Sequence, residues 1–340
     1  MHVDKFRFLR GENMVTIKDI SDSLGISISS VSKALNGGTD ISQKTREKVI
    51  EVANELGYIK KSISNKLNLK FGIIVDQNCD EYNKILNYDI IQGFNSEAIK
   101  DGNTTSIIYL KSSAKKICID SIMRSNNLSG ALLVLNNISD SIRKSILKLS
   151  YPLVMANSYL NIDKQNIGYV GIDMIDGMSK VVKYFIDRGY KDISFVNIKG
   201  NDYIYQDKLV GYIAALTSFG INYNPKNVLN VSSEEFDSQI VEFVKNIHVN
   251  AICADNDFTA YRILNILTRE RYKVPEDISI IGFDNNFIFN CLNPSLSTVN
   301  YDKFELGVKS YFTLKSIVSG NSISKMQIKC DILERESTRI

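Results

Sequence analysis

The stretch that most constrains this chain runs from Val15 to Tyr58. Apolar residues recur there at helical spacing in three bursts, separated by polar, glycine-containing breaks. Thr16 can cap a first helix, with Asp19 three residues on completing a capping box and Ile17, Ile20 and Leu24 forming its apolar stripe. Gly25 supplies a break. Ser27 caps a second helix whose Val31 and Leu35 face inward, which leaves Ile28, Ser29, Ser30, Ser32 and Lys33 toward solvent. Ser42 caps a third helix, with Val49, Val52, Ala53 and Leu56 as its buried stripe. Two short helices around a glycine turn, backed by a third, suit the placing of one helix in a DNA groove.

A polar linker, I-K-K-S-I-S-N-K-L-N-L-K, separates Tyr58 from Phe71. Beyond it, short apolar runs alternate with helical patterns. F-G-I-I-V, T-S-I-I-Y-L, G-A-L-L-V-L, P-L-V-M-A, I-S-F-V, V-L-N-V, A-I-C-A and I-S-I-I-G-F read as strands. Between them, helices are expected over Asn87–Lys100, Lys115–Asn126, Ser139–Leu149, Gly177–Arg188, Lys208–Phe219, Phe236–Ile247 and Phe258–Glu270. Such alternation argues parallel α/β sheets. The remaining length is large for one sheet, so two lobes are expected.

Composition excludes more than it identifies. With 340 residues, 44% of them hydrophobic, the chain can bury a large core in more than one domain. The net charge is only +3, and residues 14–70 carry nine Lys/Arg against six Asp/Glu. Any DNA affinity must come from a small, shaped surface that dimerisation would double. The five cysteines are odd in number and lack C-x-x-C spacing, which fits small buried thiols in a reducing cytoplasm. Residues 1–13 have no apolar core to act as a signal peptide, and no apolar run approaches a membrane span. The chain is therefore expected in the cytoplasm, away from membranes. It has no Walker loop and no G-x-G-x-x-G, and His2 and His248 make no constellation with other groups. No enzyme activity, metal or cofactor is expected.

The first segment resembles the helix-turn-helix of the lactose/galactose repressor (LacI/GalR) family. The matching strings are T-I-K-D-I from Thr16, S-x-S-x-V-S-x-x-L-N over Ser27–Asn36, and S-x-K-T-R-E-K-V followed by E-L-G-Y. Downstream landmarks are D-x-x-x-G at Asp173–Gly177, N-D-x-x-A at Asn256–Ala260 and V-P-E-D-I-S-I-I-G-F-D at Val274–Asp284. P-S-L-S-T-V at Pro294–Val299 and the R-E-S of Arg335–Ser337 follow near the end. The resemblance implies a small all-α helix-turn-helix domain at 14–58 and a hinge at 59–70. An α/β body like a periplasmic binding protein follows at 71–340, with two parallel-sheet, Rossmann-like lobes. One lobe would hold 71–172 with 301–328, the other 173–300 with 329–340. Residues 1–13 precede the family's usual start and are expected to be an unordered extension; Met14 could be the natural initiator.

The family's function implies a homodimeric or tetrameric transcription regulator, most commonly a repressor, that binds a near-palindromic operator. A small molecule, a sugar or related polar metabolite, would control it allosterically from the cleft between the lobes. By the family's pattern, Ile28, Ser29 and Lys33 contact bases. Thr16, Ser27, Ser30, Ser32, Asn36 and Ser42 hold phosphates, with plain helix capping as their other reading. Leu67 stands where a leucine wedges into the minor groove, although Lys60-Lys61 replaces the usual Pro-Asn and the connection is short. In the cleft, Asp284 matches a ligand carboxylate, Asn256 a ligand amide, and Lys208 a position that is usually Arg. Asn157, Asn136 and Asn87 complete the effector set, suited to a neutral polyol. Ser233 replaces a common stacking aromatic, for which Tyr203, Tyr205 or Phe236 could serve. The competing reading is a transporter's solute-binding protein with no DNA function, which the leading helix-turn-helix opposes. Lys33→Ala should lose about 1–3 kcal/mol at a specific DNA site; an unchanged operator preference in a gel-shift assay would refute its role.

Overall fold

The computed structural model describes residues 15–35, 38, 41–56, 68–135, 138–199 and 202–339. The chain divides into two units, residues 1–67 and 68–340. In the first, α1 spans Ile17–Leu24, α2 Ile28–Leu35 and α3 Gln43–Glu55. Thr16 caps α1 through a reciprocal capping box with Asp19. Gly25 takes the left-handed conformation (φ 64°) that turns the chain toward α2, a backbone state that costs glycine no steric clash. The core is small: Ile20, Val31, Ala34, Val49 and Ala53 are buried, with Ile17, Leu24, Leu35, Val52 and Leu56 packed around them. Ala34 takes the fully buried place assigned from the sequence to Leu35, which lies half-buried at the edge of the cluster.

The second unit opens with β1 (Lys70–Asp76), α4 (Glu81–Lys100), β2 (Thr104–Leu110), α5 (Ile119–Ser125) and β3 (Gly130–Val134). Next come α6 (Asp140–Leu147), β4 (Leu153–Ala156), β5 (Ile167–Ile172), α7 (Met174–Asp187) and β6 (Ile193–Ile198). The chain continues through α8 (Asp202–Ser218), β7 (Val228–Val231), α9 (Phe236–Asn246), β8 (Ala251–Ala254), α10 (Asp257–Arg269) and β9 (Ser279–Phe283). It finishes with β10 (Ser297–Asn300), α11 (Lys303–Val318), β11 (Lys325–Ile328) and β12 (Asp331–Leu333).

Two six-stranded sheets result, ordered β11-β5-β4-β3-β1-β2 and β12-β10-β9-β8-β6-β7. All pairings are parallel except β10 with β12. Every residue of β3, β4, β8 and β9 is buried, as expected of strands covered by helices on both faces. The chain passes from the first lobe to the second after β5, returns after β10 into α11 and β11, and crosses again to β12.

Four local departures from the sequence expectation stand out, in α4, α8, α5 and β5. α4 begins at Glu81 rather than Asn87, because Asp80 accepts the Asn83 N–H at 2.8 Å and caps it there. α8 likewise begins at Asp202, before Lys208. α5 is shorter than Lys115–Asn126 and starts at Ile119, whose N–H goes to the Ser145 hydroxyl instead of into a helix. β5 was absent from the alternation because two glycines dilute its apolar run, yet all six of its residues are buried.

In the first lobe α4 crosses α11 at very short range, through Gly93 and Gly307. A Cβ on Gly307 would lie 2.0 Å from the Ile90 carbonyl oxygen, and one on Gly93 would lie 2.1 Å from that of Phe304. Backbone cannot retreat as a side chain can. Gly307→Ala is therefore expected to cost at least the 1–3 kcal/mol or so typical of overpacking, read as a lower urea midpoint; an unchanged midpoint would show that the helices separate freely.

Candidate functional site

Two surfaces can do chemistry, one on each unit. On the first, α2 buries Val31 and Ala34 and presents Ile28, Ser29 and Lys33 outward, with Ile28 51% exposed. An exposed isoleucine beside a serine and a lysine is poor packing for a free helix and good material for a groove contact. Ser30 and Ser32 are half-buried. Ser27 accepts the Ser30 N–H at 3.1 Å and lies 2.9 Å from the Ser30 hydroxyl. Ser42 accepts the Thr45 N–H at 3.1 Å, and the Thr16 hydroxyl donates to Asp19 at 2.8 Å. Three of the expected phosphate contacts thus act as helix caps in the protein itself. Asn36 and Leu67 lie outside the described residues.

On the second unit, polar groups converge on Asp284, at the carboxyl end of β9. In open α/β sheets, strand ends of this kind hold ligands. Its backbone is left-handed (φ 101°), as is that of Asn285 (φ 48°), an unfavourable state that surrounding bonds must hold. Arg335 donates to Asn285 at 2.8 Å and to the Leu296 carbonyl at 2.6 Å. Asn285 in turn donates to Asn300 at 2.9 Å. Asp257 accepts the Asn286 N–H at 2.7 Å. The R-E-S strap near the end of the chain thereby sets the aim of the carboxylate.

Asp284 Oδ2 accepts from the Tyr82 hydroxyl at 2.6 Å and Oδ1 from Tyr301 at 3.2 Å, while Lys303 donates to its backbone carbonyl. Burial, followed by the nearby negative charge of Asp284, pushes both phenols well above their ordinary range, so they stay protonated donors. Lys208 is 4% exposed, donates to the Asp255 carbonyl and lies 4.0 Å over the Phe283 ring. Its burial lowers its pKa, against the pull of Asp284. Asn157, itself left-handed (φ 53°), stands beside the Tyr301 hydroxyl.

The structure brings Asp284, Lys208 and Asn157 into this one neighbourhood. Asn256 borders it, but its side-chain oxygen caps α10 by accepting the Thr259 N–H at 2.8 Å. Asn87 sits in the middle of α4, buried, with its amide toward the Cys79 sulfur. Asn136 lies outside the described residues. Phe236 is fully buried in the core of the second lobe, and Tyr205 stacks on Phe195. A cavity of about 250 Å³ opens beside the next residue, Asn285, and is lined also by Leu86, Asp89, Asn300, Tyr301 and Lys303, whereas Asp284, Lys208 and Asn157 do not line it.

Sequence reasoning missed Tyr82, Lys303, Asp255 and Asp257. Tyr82 had a legible signal, because the capping Asp80 followed by Glu81 marks a helix start that would have moved α4 toward the cleft, and Asp257 is the aspartate of the N-D-x-x-A string. Among the described residues, no group of His, Cys, Asp and Glu is arranged to hold a metal, and no helix is long and apolar enough to cross a membrane.

The three-helix unit and the two-lobed body with its polar cleft define a class of DNA-binding regulators. Residues 16–61 match the bacterial regulatory proteins of the lacI family, and residues 182–338 match the periplasmic binding protein-like domain. The chain is 25% identical over 346 residues to the HTH-type transcriptional regulator RegA of Clostridium saccharobutylicum, covering 95% of this chain and 99% of RegA. It is 26% identical over 339 residues to the HTH-type transcriptional repressor CytR of Escherichia coli K12, covering 96% and 97%. Among solved structures, it is similar to a transcriptional regulator CelR–cellobiose complex (TM-score 0.69, 20% identity, 95% and 100% covered). The lac repressor dimer bound to operator and the anti-inducer ONPF is similar as well (TM-score 0.66, 20% identity, 96% and 100% covered). The chain belongs to the LacI family and is a DNA-binding transcriptional regulator, not an enzyme. That removes the transporter reading.

Burial, with the negative charge of Asp284 next, pushes the Asp257 carboxyl up to about 8. A carboxyl raised on folding holds its proton more tightly in the native state. Its contribution to stability is complete below the ordinary aspartate range and is lost as pH climbs from about 4 toward 8. Asp257→Asn should flatten that fall. Urea midpoints that change in parallel between pH 5 and 8 in the two proteins would refute the assignment.

Proposed function

We propose that this regulator reads a near-palindromic operator as a homodimer. Control comes from a small polar molecule, a sugar or related metabolite, bound against Asp284 between the lobes. One observation carries the effector reading: a carboxylate held in a left-handed turn, with both of its oxygens accepting hydroxyl donors. A polyol supplies the same donors. Lys208 and Asn157 stand near that carboxylate, and a cavity of about 250 Å³ opens beside the adjoining Asn285. That CelR was solved with cellobiose supports a sugar by family likeness.

Dimerisation is supported by apolar side chains left in solvent. On the first lobe, Tyr88, Ile107 and Tyr109 are exposed, Tyr109 by 70%, and the last two lie on β2, an edge strand. On the second lobe Phe258, Phe287 and Ile288 are exposed. The lac repressor was solved as a dimer on its operator, which supports a second copy as the occupant of these faces. On α2, Ile28, Ser29 and Lys33 are proposed to read bases.

The test is a thermal-shift screen of sugars and nucleosides, followed by gel shifts on the DNA upstream of the gene with any hit. A ligand at 100 times its Kd should add about 2.7 kcal/mol of stability, and Asp284→Ala should abolish the shift. A hit that stabilises Asp284→Ala as strongly as the unaltered protein places the effector elsewhere.

A further inference from the structure

Tyr82 belongs to the first lobe by chain, yet its half-buried ring packs against the core of the second. Its ring lies between Phe258 and Phe289, at centroid distances of 6.2 and 6.1 Å, and its carbonyl accepts from the Asn286 amide at 3.5 Å. Its hydroxyl reaches Asp284 Oδ2 at 2.6 Å. The mount is rigid, because Tyr82 sits in the first turn of α4, pinned by Asp80 to Asn83. A hydrogen bond to a charged acceptor is among the stronger kinds available to a side chain.

We propose that Tyr82 is a built-in competitor for the effector: its phenol occupies the Asp284 oxygen that an effector hydroxyl must take, and it latches the two lobes until displaced. This deepens the reading of Asp284 as the effector anchor and rests on it. The latch also sets the ligand's chemistry at that point. The incoming atom must be a donor, a hydroxyl or N–H, because a carboxylate or phosphate oxygen placed there would face Asp284 with no proton between them. The cavity lined by Tyr301, Lys303 and Asn285, and by Ile85 and Leu86 on the next turn of α4 after Tyr82, gives such a ligand a place to lodge before it exchanges.

Tyr82→Phe keeps the ring between Phe258 and Phe289 and removes only the hydroxyl; Asp284→Asn keeps the shape of the acceptor and removes its charge. Amide hydrogen exchange of the full chain is followed in peptides covering residues 80–90 and 284–292, for the unaltered protein, each single variant and the double variant. Each single substitution should speed exchange in both peptides about ten- to a hundredfold, and the double should be no faster than the faster single. Tyr82→Phe exchanging like the unaltered protein, or single effects that multiply in the double, would overturn the latch.

Competition is read separately, by melting with the same sugars and nucleosides. A compound that stabilises the unaltered protein should stabilise Tyr82→Phe by more at equal concentration. A smaller gain would make the tyrosine a wall of the ligand site rather than its rival. Coupled exchange with no stabilising compound would leave the latch standing while the effector reading falls.

Discussion

The second unit is organised around the need to satisfy one half-buried carboxylate. Asp284 sits on a left-handed backbone at the end of β9, partly shielded from water, where leaving its charge unpaired would carry a cost. Its surroundings answer on two levels. Backbone conformation is held by side chains from distant parts of the chain: Arg335 on Asn285, Asn300 against Asn285, and Asp257 on the Asn286 N–H. The charge itself is met by two phenols and by the fields of Lys208 and Lys303. Those partners come from both lobes and from the crossing segment between them. The lobes are therefore joined through polar groups as well as through apolar packing.

The same neighbourhood is crowded with titratable groups of both signs. Asp255 and Asp257 are both pushed upward by burial, and Lys208 and Lys303 are both pushed downward. Such opposed shifts mean that the site holds its charges reluctantly, and that a ligand rich in hydroxyls could redistribute the hydrogen bonds at little loss. Perturbed groups gathered at the carboxyl ends of strands are a common mark of a binding site.

The reader unit works on a smaller scale. Five buried side chains and three helix caps hold it together, so its stability depends on local bonds as much as on its core. The capping hydroxyls of Thr16, Ser27 and Ser42 define the helix starts, whose N–H groups favour anions. α2 itself presents outward the short row of Ile28, Ser29 and Lys33.

Local patterns written in neighbouring residues were legible from the sequence alone. They include the three helices with the Gly25 break and their caps, the alternation that builds two parallel sheets, and the placing of Asp284 at a strand end. These depend on contacts within a few residues, or on the burial of an apolar face, and both leave a periodic trace. The rest was decided by tertiary structure. Tyr82 meets Asp284 across two hundred residues of chain, Arg335 braces a turn fifty residues earlier, and Asn256 spends its oxygen on capping α10. Nothing in the local pattern records which side chain will arrive from another lobe, because only the folded path of the backbone brings such partners within bonding distance.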